Sequence, residues 1–452
     1  MKRKHIYSAV DVERLDVAVI LQTLAVGCIV AIDVAKTKFV AALATATGEV
    51  LKLVKFDHPR QTVAFLGLLK ALRGAELEPK VVMEPTGTYG DALRYQCHRL
   101  GVPVHMMPPK HTHDFAEVFD GVPSMHDAKA AAVLAKLQAV KPAPVWQPET
   151  EAQRDLRAWV DQRHPIALTL ALHHGHLEAM MARHWPEFGA VMDVHVRRSW
   201  CALLKAFPGP QAVNAAREEA ARTLHRASHA QLGNERIEAI LNAARDTMGM
   251  PMTKGEEHKL RAITEQIEAH THRQDSVDAE IEALVRQDTV LSRLATVVGP
   301  ACAAAIGALV GSPLDFVSAG AFEKAMGLNL KERSSGERIG KLSITKRGSG
   351  QTRQLLYMAV LRLLNSDPVV VAWYRERKAY KAGLPIKAIV AVMRKLARAL
   401  WHVARGETFD AKKLFDVRRL DLSSVTIRPR FKFKNAPQAS VQAHSEGGAA
   451  IA

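Results

Sequence analysis

Cysteine is scarce in this 452-residue chain. The four present, Cys28, Cys97, Cys201 and Cys302, lie far apart and form no CxxC pair. That argues against a disulfide framework and a thiolate zinc site, and it fits a reducing cytoplasm. Long apolar runs are also missing. The most apolar stretch near the start, 17–31, is interrupted by Gln22, Thr23 and Gly27 and ends at Asp33, too short and too polar to span a bilayer. "MKRKHIYSAVDVERLD" is basic but has no apolar core, so it does not read as a signal peptide. Acid is in deficit: 46 Asp and Glu stand against 62 Lys and Arg, a formal net charge of +16. A well-mixed chain this basic usually meets a polyanion, nucleic acid first and an anionic membrane surface second.

Hydrophobic residues make up 48% of the chain, enough for sizeable cores, and the length allows roughly three domains of ~150 residues. Histidine is plentiful at 20 residues, four of them (His173, His174, His176, His184) within "ALHHGHLEAMMARHW". With no accompanying Cys and no HExxH pattern, this stretch reads as a solvated or nucleic-acid-facing helix rather than a metal site.

Residues 1–24 read as an N-terminal arm. "GCIVAIDVAKTKFVAALATATGEVLKLVKF" then shows β-rich runs, two of them separated by a Thr47-Gly48 turn. A helix is expected around 60–74, a short buried strand in "KVVME", a helix near 89–100, a strand in "VPVHMM" and an alanine-rich helix in "SMHDAKAAAVLAKLQAV". Three meandering strands followed by alternating helix and strand predict a mixed sheet with helices packed on it, the order of a ribonuclease-H-like fold. "VKPAPVWQPET" reads as a linker.

From 151 to about 291 only helical segments are evident. Leu260, Ile263, Ile267, His270, Gln274, Val277, Ile281 and Leu284 follow a 3,4 spacing, a heptad seam with two polar interruptions. The seam suits an intramolecular helical hairpin or an intermolecular coiled coil equally. From 294 to about 415 lies a compact helical region. "LATVVGPACAAAIGALVG" has the shape of a helix-hairpin-helix, although Gly299-Pro300-Ala301 breaks the usual G-x-G turn, leaving phosphate contact and plain packing both open. "VMRKLARALWHVARG" is an amphipathic helix with a basic face, and the tail beyond Asp421 is polar. Within that tail Arg428, Arg430 and Lys432 make an extended basic strip suited to a sugar-phosphate backbone.

Two apolar strands end in acid: "CIVAID" in Asp33 and "VVME" in Glu84. If the strands are neighbours, the two carboxylates converge at one sheet edge, and Asp127, opening the helix after the last strand, can approach the same point. Three carboxylates make an oxygen-ligand site for Mg²⁺, the metal of phosphoryl transfer. Taken alone, Asp127 would more often be a helix cap.

"AIDVAKTKFVAAL", "VVMEPTGTYGDAL", "FDGVPSMHDAKAAAVLA" and "LNLKERSSGERIGKLSITKRG" fall in an order that resembles insertion-sequence transposases of the IS110 family and the related Piv-type DNA invertases. The resemblance runs from about 27 to 415. It implies a RuvC-like domain with a D-E-D-D tetrad (25–148), a helical, coiled-coil connector (149–291), a C-terminal serine transposase domain (292–417) and a basic disordered tail (418–452). It implies a DNA recombinase acting on donor and target DNA, assembled as a dimer or tetramer, guided by a noncoding bridge RNA and located in the bacterial cytoplasm with the nucleoid. On matching positions Asp33, Glu84 and Asp127 are the first three acids and Mg²⁺ ligands. The fourth falls on Ala130, where the family's "DAKDA" reads "DAKAA"; a natural loss, an engineered substitution or a site rearranged around Asp120 would each account for it. The family's serine directly precedes glycine, which selects Ser335 over Ser334 as the nucleophile. Lys346, Arg347 and Arg353 stand ready to offset charge on the phosphate. The common "KRGN" reads "KRGS", ending in Ser349. Two other readings stay open: a metal-only RuvC-like nuclease such as a junction resolvase, and a catalytically impaired nucleic-acid-binding homologue.

Overall fold

The five residues Ile29–Asp33 form a strand whose first four positions are fully buried, because it is covered on both faces and needs no polar side. The structure, a computed structural model, describes residues 8–121, 126–191, 197–332, 340, 342–423 and 425. It divides into two compact units, Met1–Thr150 and Glu151–Ala452.

The first unit is built on a six-stranded mixed sheet. Its strands are β1 (Val10–Asp11), β2 (Ile29–Asp33), β3 (Lys38–Ala44), β4 (Val50–Asp57), β5 (Lys80–Met83) and β6 (Val104–Met106), in the order β1-β4-β3-β2-β5-β6. β2, β3 and β4 form an antiparallel meander, β5 runs parallel to β2, and β6 runs parallel to β5. The helices are α1 (Val17–Thr23), α2 (Thr62–Gly74), α3 (Asp91–Arg99), α4 (Pro109–Asp120) and α5 (Asp127–Val140). This order and these directions fit the ribonuclease-H-like arrangement expected from the sequence.

Strand alternation sorts two cores. Val30, Ile32, Phe39, Leu43, Val81 and Met83 face one side, where Phe65, Leu68, Leu69 and Leu72 of α2 and Leu93 of α3 cover them. Ile29, Ala31, Val40, Ala42, Ala44 and Val82 face the other side, against Ala128, Ala131, Leu134 and Ala135 of α5. Alanine meets alanine there, so α5 lies close on the sheet, and the β3–β4 turn shares that closeness. Gly48 adopts φ +77°, and a Cβ on it would stand 2.8 Å from the Lys136 Cα. The Lys136 Nζ donates to the Thr47 carbonyl at 3.1 Å.

Two stretches differ from their sequence reading. The segment expected to be an arm carries β1, paired in parallel with β4, and α1; Val12, Ile20 and Leu24 are buried in the first core. A two-residue strand and a seven-residue helix are too short to show periodicity. The expected linker lies against the sheet edge: Val145 bridges His105, and the Trp146 N–H donates to the Val104 carbonyl at 2.7 Å. Arg94 stacks over the Trp146 ring at 4.5 Å.

In the second unit, helix Lys254–Gln287 packs antiparallel on helix Glu151–His184. Val277, Ile281 and Val285 share a cluster with Leu156 and Val160, while Leu260, Ile263 and Ile267 share another with Leu177 and Met181. The polar interruptions of the seam are answered within the chain. The His270 ring lies 5.5 Å from that of His173, and Gln274 donates to Asp278, which Arg163 grips through two bonds at 2.5 and 3.2 Å. The heptad seam is therefore the inside of an intramolecular hairpin. Helices Thr289–Val298, Pro300–Leu309, Gly350–Ser366 and Pro385–Ala404 enlarge the first of these clusters around Ile306, Phe322, Leu356 and Leu400.

Among the described residues no single helix is long and apolar enough to cross a membrane. The helix pair Gly350–Ser366 and Pro368–Arg375 has the composition, but it bends by 105° and buries Leu356, Val360, Val369 and Val370 in the core. All four cysteines are buried, and none is joined in a disulfide.

The Gly48→Ala substitution adds a Cβ against backbone and imposes a positive φ on an L-residue. Chemical denaturation is expected to show a loss of about 2–3 kcal/mol, whereas Gly67→Ala, with open space on helix α2, should cost nothing.

Candidate active site

Parallel pairing sets Ile32 opposite Met83, so the next residues, Asp33 and Glu84, leave the same edge of the sheet side by side. Both are half-buried. Asp127 is the first residue of α5 and is exposed. Its helix begins at His126, whose Nδ1 accepts from the Lys129 N–H at 3.2 Å, and a carboxylate in a first helical turn sits at the favourable end of the helix dipole.

The three carboxylates feel one another. Burial first, and then the negative charges of Asp127 and Glu84, together raise the Asp33 carboxyl to about 6. The donor set is all carboxylate oxygen, which suits a hard divalent cation, and such an ion would relieve the repulsion that raises Asp33. On chemistry the three residues fit the metal expected of them. Among the described residues, no group of three His, Cys, Asp or Glu side chains is gathered closely enough to grip an ion.

Ala130 lies on the first turn of α5, three residues beyond Asp127, and its methyl group adds no donor. The Asp120 Oδ1 accepts from the buried Lys129 Nζ at 2.7 Å, fastening the end of α4 to α5. Lys129 was not picked out from the sequence; a lysine between small residues on an alanine-rich helix was the available signal, since a buried lysine requires a partner.

Ser335 and its neighbour Ser334 lie outside the described residues, as do Arg428, Arg430 and Lys432. The flanks of the serine segment are well defined. Leu330–Lys331 and Ser343–Ile344 form a short antiparallel pair. The Thr345 Oγ1 donates to the Asn329 Oδ1 at 2.6 Å, and the Lys346 N–H donates to the Gly327 carbonyl at 3.0 Å. Below this pair two glycines are clasped against opposing backbone. A Cβ on Gly327 would stand 1.8 Å from the Arg347 carbonyl oxygen, and one on Gly348 would stand 2.3 Å from that of Ala325.

Lys346 and Arg347 are exposed beside this clasp. Arg353 is turned inward: its Nη1 donates to the Met326 carbonyl at 3.3 Å and the Gly348 carbonyl at 3.1 Å, tying both halves together. Ser349 caps helix Gly350–Ser366, accepting from the Thr352 N–H at 3.1 Å. Serine and asparagine are equivalent in that role, which explains "KRGS" in place of "KRGN". At the expected helix-hairpin-helix, Gly299 turns at φ +80° and Arg362 donates to the Val298 carbonyl. A side chain of the chain's own thus closes that turn.

A family model for transposases of the DEDD, IS110 type matches residues 30–186, and a second, described as "Transposase IS116/IS110/IS902 family", matches residues 292–375. Together they span just over half of the chain and include Asp33, Glu84, Asp127 and Ser335. No curated protein matches the chain significantly.

Two outcomes follow. A carboxyl raised in the folded state favours folding below its unfolded value near 3.8 and loses that advantage as pH climbs toward 6. In metal-free protein, Asp33→Asn should therefore raise unfolding free energy by about 1–2 kcal/mol at pH 7.5, the gain fading below pH ~4 in thermal melts. Gly327→Ala should destabilise the second unit by about 3 kcal/mol or more, since backbone must move to admit the methyl group.

Proposed function

The chain belongs to the IS110 family of insertion-sequence transposases, and from that premise we propose that it is a RuvC-like DNA recombinase that cuts and rejoins DNA through Ser335. The observation that carries this reading is the side-by-side exit of Asp33 and Glu84 from parallel strands, with Asp127 close enough to raise Asp33. Carboxylates kept together in this way suit the holding of a cation.

Asp33, Glu84 and Asp127 are the residues that would hold Mg²⁺. When bound, the ion would polarise a phosphate oxygen and offset charge in the displacement. The Ser335 Oγ would bond to the phosphorus of a DNA strand as the bond from phosphorus to the sugar oxygen breaks, the serine proton passing through solvent to the departing oxygen. The ester energy is kept in a phosphoserine bond. A hydroxyl of the incoming strand then reverses the step and restores the serine. Lys346 and Arg347, exposed beside the clasp, can attract the phosphate, whereas Arg353 positions the segment by holding the Met326 and Gly348 carbonyls. The reading further includes guidance by a noncoding bridge RNA, donor and target DNA as substrates, an even-numbered assembly and a place in the cytoplasm. The surplus of 16 positive charges supports the nucleic-acid partners. The heptad seam, filled by the chain's own helix, does not support the assembly.

Trapping decides the reading. Ser335→Ala should lose strand cleavage and any covalent protein–DNA adduct seen after denaturing electrophoresis. Persisting cleavage would replace the proposal with a metal-only nuclease. Ala130→Asp returns a fourth carboxylate one helical turn from Asp127, and calorimetric titration should show Mg²⁺ or Mn²⁺ bound about tenfold more tightly.

A further inference from the structure

Helix Pro385–Ala404 buries Ile389, Val392, Met393, Leu396, Leu400 and Val403 along one side. Its other side carries Arg394, Lys395, Arg398 and His402, roughly one cation per turn. Beneath them lies Glu323, 2% exposed, whose two oxygens accept from the Nε of Arg394 at 2.6 Å and the Nε of Arg398 at 2.5 Å. One buried acid thus aligns two guanidinium groups, while the Arg398 side chain stays 55% exposed.

Arg377 approaches from the preceding segment. Its guanidinium stacks 4.1 Å from the Trp373 ring centre, and its buried Nε meets no hydrogen-bond partner among the described residues. Trp373, Arg377, Ala391, Arg394, Lys395 and Arg398 line a depression of about 310 Å³. No acid is among these lining residues. A second depression of about 360 Å³ shares Lys395 and Arg398 and continues past His402 to Lys413. The two make one furrow, basic at its head and open to solvent.

We propose that this furrow seats the phosphodiester backbone of a nucleic acid. At the head of the furrow Arg377, Arg394, Lys395 and Arg398 face the single, shared carboxylate of Glu323, a local surplus of positive charge; further along, Lys413 is balanced by Glu407 and Asp410, so the phosphate grip is assigned to the head. Guanidinium forks held by an acid and an aromatic ring are pre-set for bidentate grip on phosphate oxygens. An open furrow suits a strand that passes through it, not a small molecule that must be enclosed. The proposal deepens the function proposed above by assigning part of its nucleic-acid contact. It is tested by binding alone, so loss of strand transfer at Ser335 neither supports nor removes it.

The full chain is titrated into a fluorescent 30-base-pair duplex DNA and, separately, a fluorescent hairpin RNA, across a salt series. The test variant is Lys395→Gln/Arg398→Gln, which leaves Glu323 paired with Arg394. The comparison variant is Arg222→Gln/Arg226→Gln, an equal charge loss on the exposed helix Arg217–Ala227. The test variant should weaken binding about tenfold and lower the slope of log affinity against log salt by about 2, while still melting in one cooperative transition, at a somewhat lower temperature because Glu323 loses one partner. A loss confined to the DNA probe makes the occupant DNA, one confined to RNA makes it RNA, and either supports the furrow. Unchanged affinity for both probes, or an equal loss in the comparison variant, overturns it. Should the double variant fail to fold, Lys395→Glu, on the exposed face and unpaired with Glu323, reads the same loss.

Discussion

Two carboxylates stand together in this protein because two parallel strands end together. β2 and β5 are hydrogen-bonded in a register that sets Ile32 beside Met83, and nothing after that point can separate Asp33 from Glu84 without breaking the pairing. Both strands are apolar to their last residues, so the buried sheet, which favours folding, also forces like charges into proximity. The Asp33 carboxyl is raised to about 6, by its burial first and by the neighbouring negative charges second. The alanine-on-alanine contact holds α5 against the sheet, and Asp127 in its first turn is near enough for its charge to add to the rise at Asp33.

Much of this was legible in the sequence, for identifiable reasons. Doubly covered strands read as unbroken apolar runs, so β2 and β5 and their terminal acids could be seen, as could the meander and the alternating helices after it. Ser349 could be seen as a departure but not as a cap, because capping depends on where a helix begins. What stayed hidden was non-local. β1 spans only two residues and owes its existence to β4, forty-odd positions later. The proline-rich stretch looked like a linker because proline marks a break in regular structure without saying what the chain then lies against; here it lies against β6. A heptad spacing records that a face is apolar, not which helix covers it, so the in-chain partner Glu151–His184 could not be chosen over a second protomer. Arg353 looked like a phosphate contact because its two carbonyl partners, Met326 and Gly348, come together only in the fold.

The serine segment and the carboxylates are supported in opposite ways. The carboxylates sit at the end of a rigid sheet and repel one another. The segment carrying Ser335 springs from a base where backbone touches backbone at Gly327 and Gly348, with an arginine drawn across it and a capped helix leading away.

Helix Lys254–Gln287 runs 34 residues, about 50 Å, without interruption, and its two ends are sunk in different apolar clusters. The cluster around Trp185 and Leu260 and the cluster around Ile281 and Ile306 are thus pinned to one continuous helix, which fixes the spacing between the two halves of the second unit.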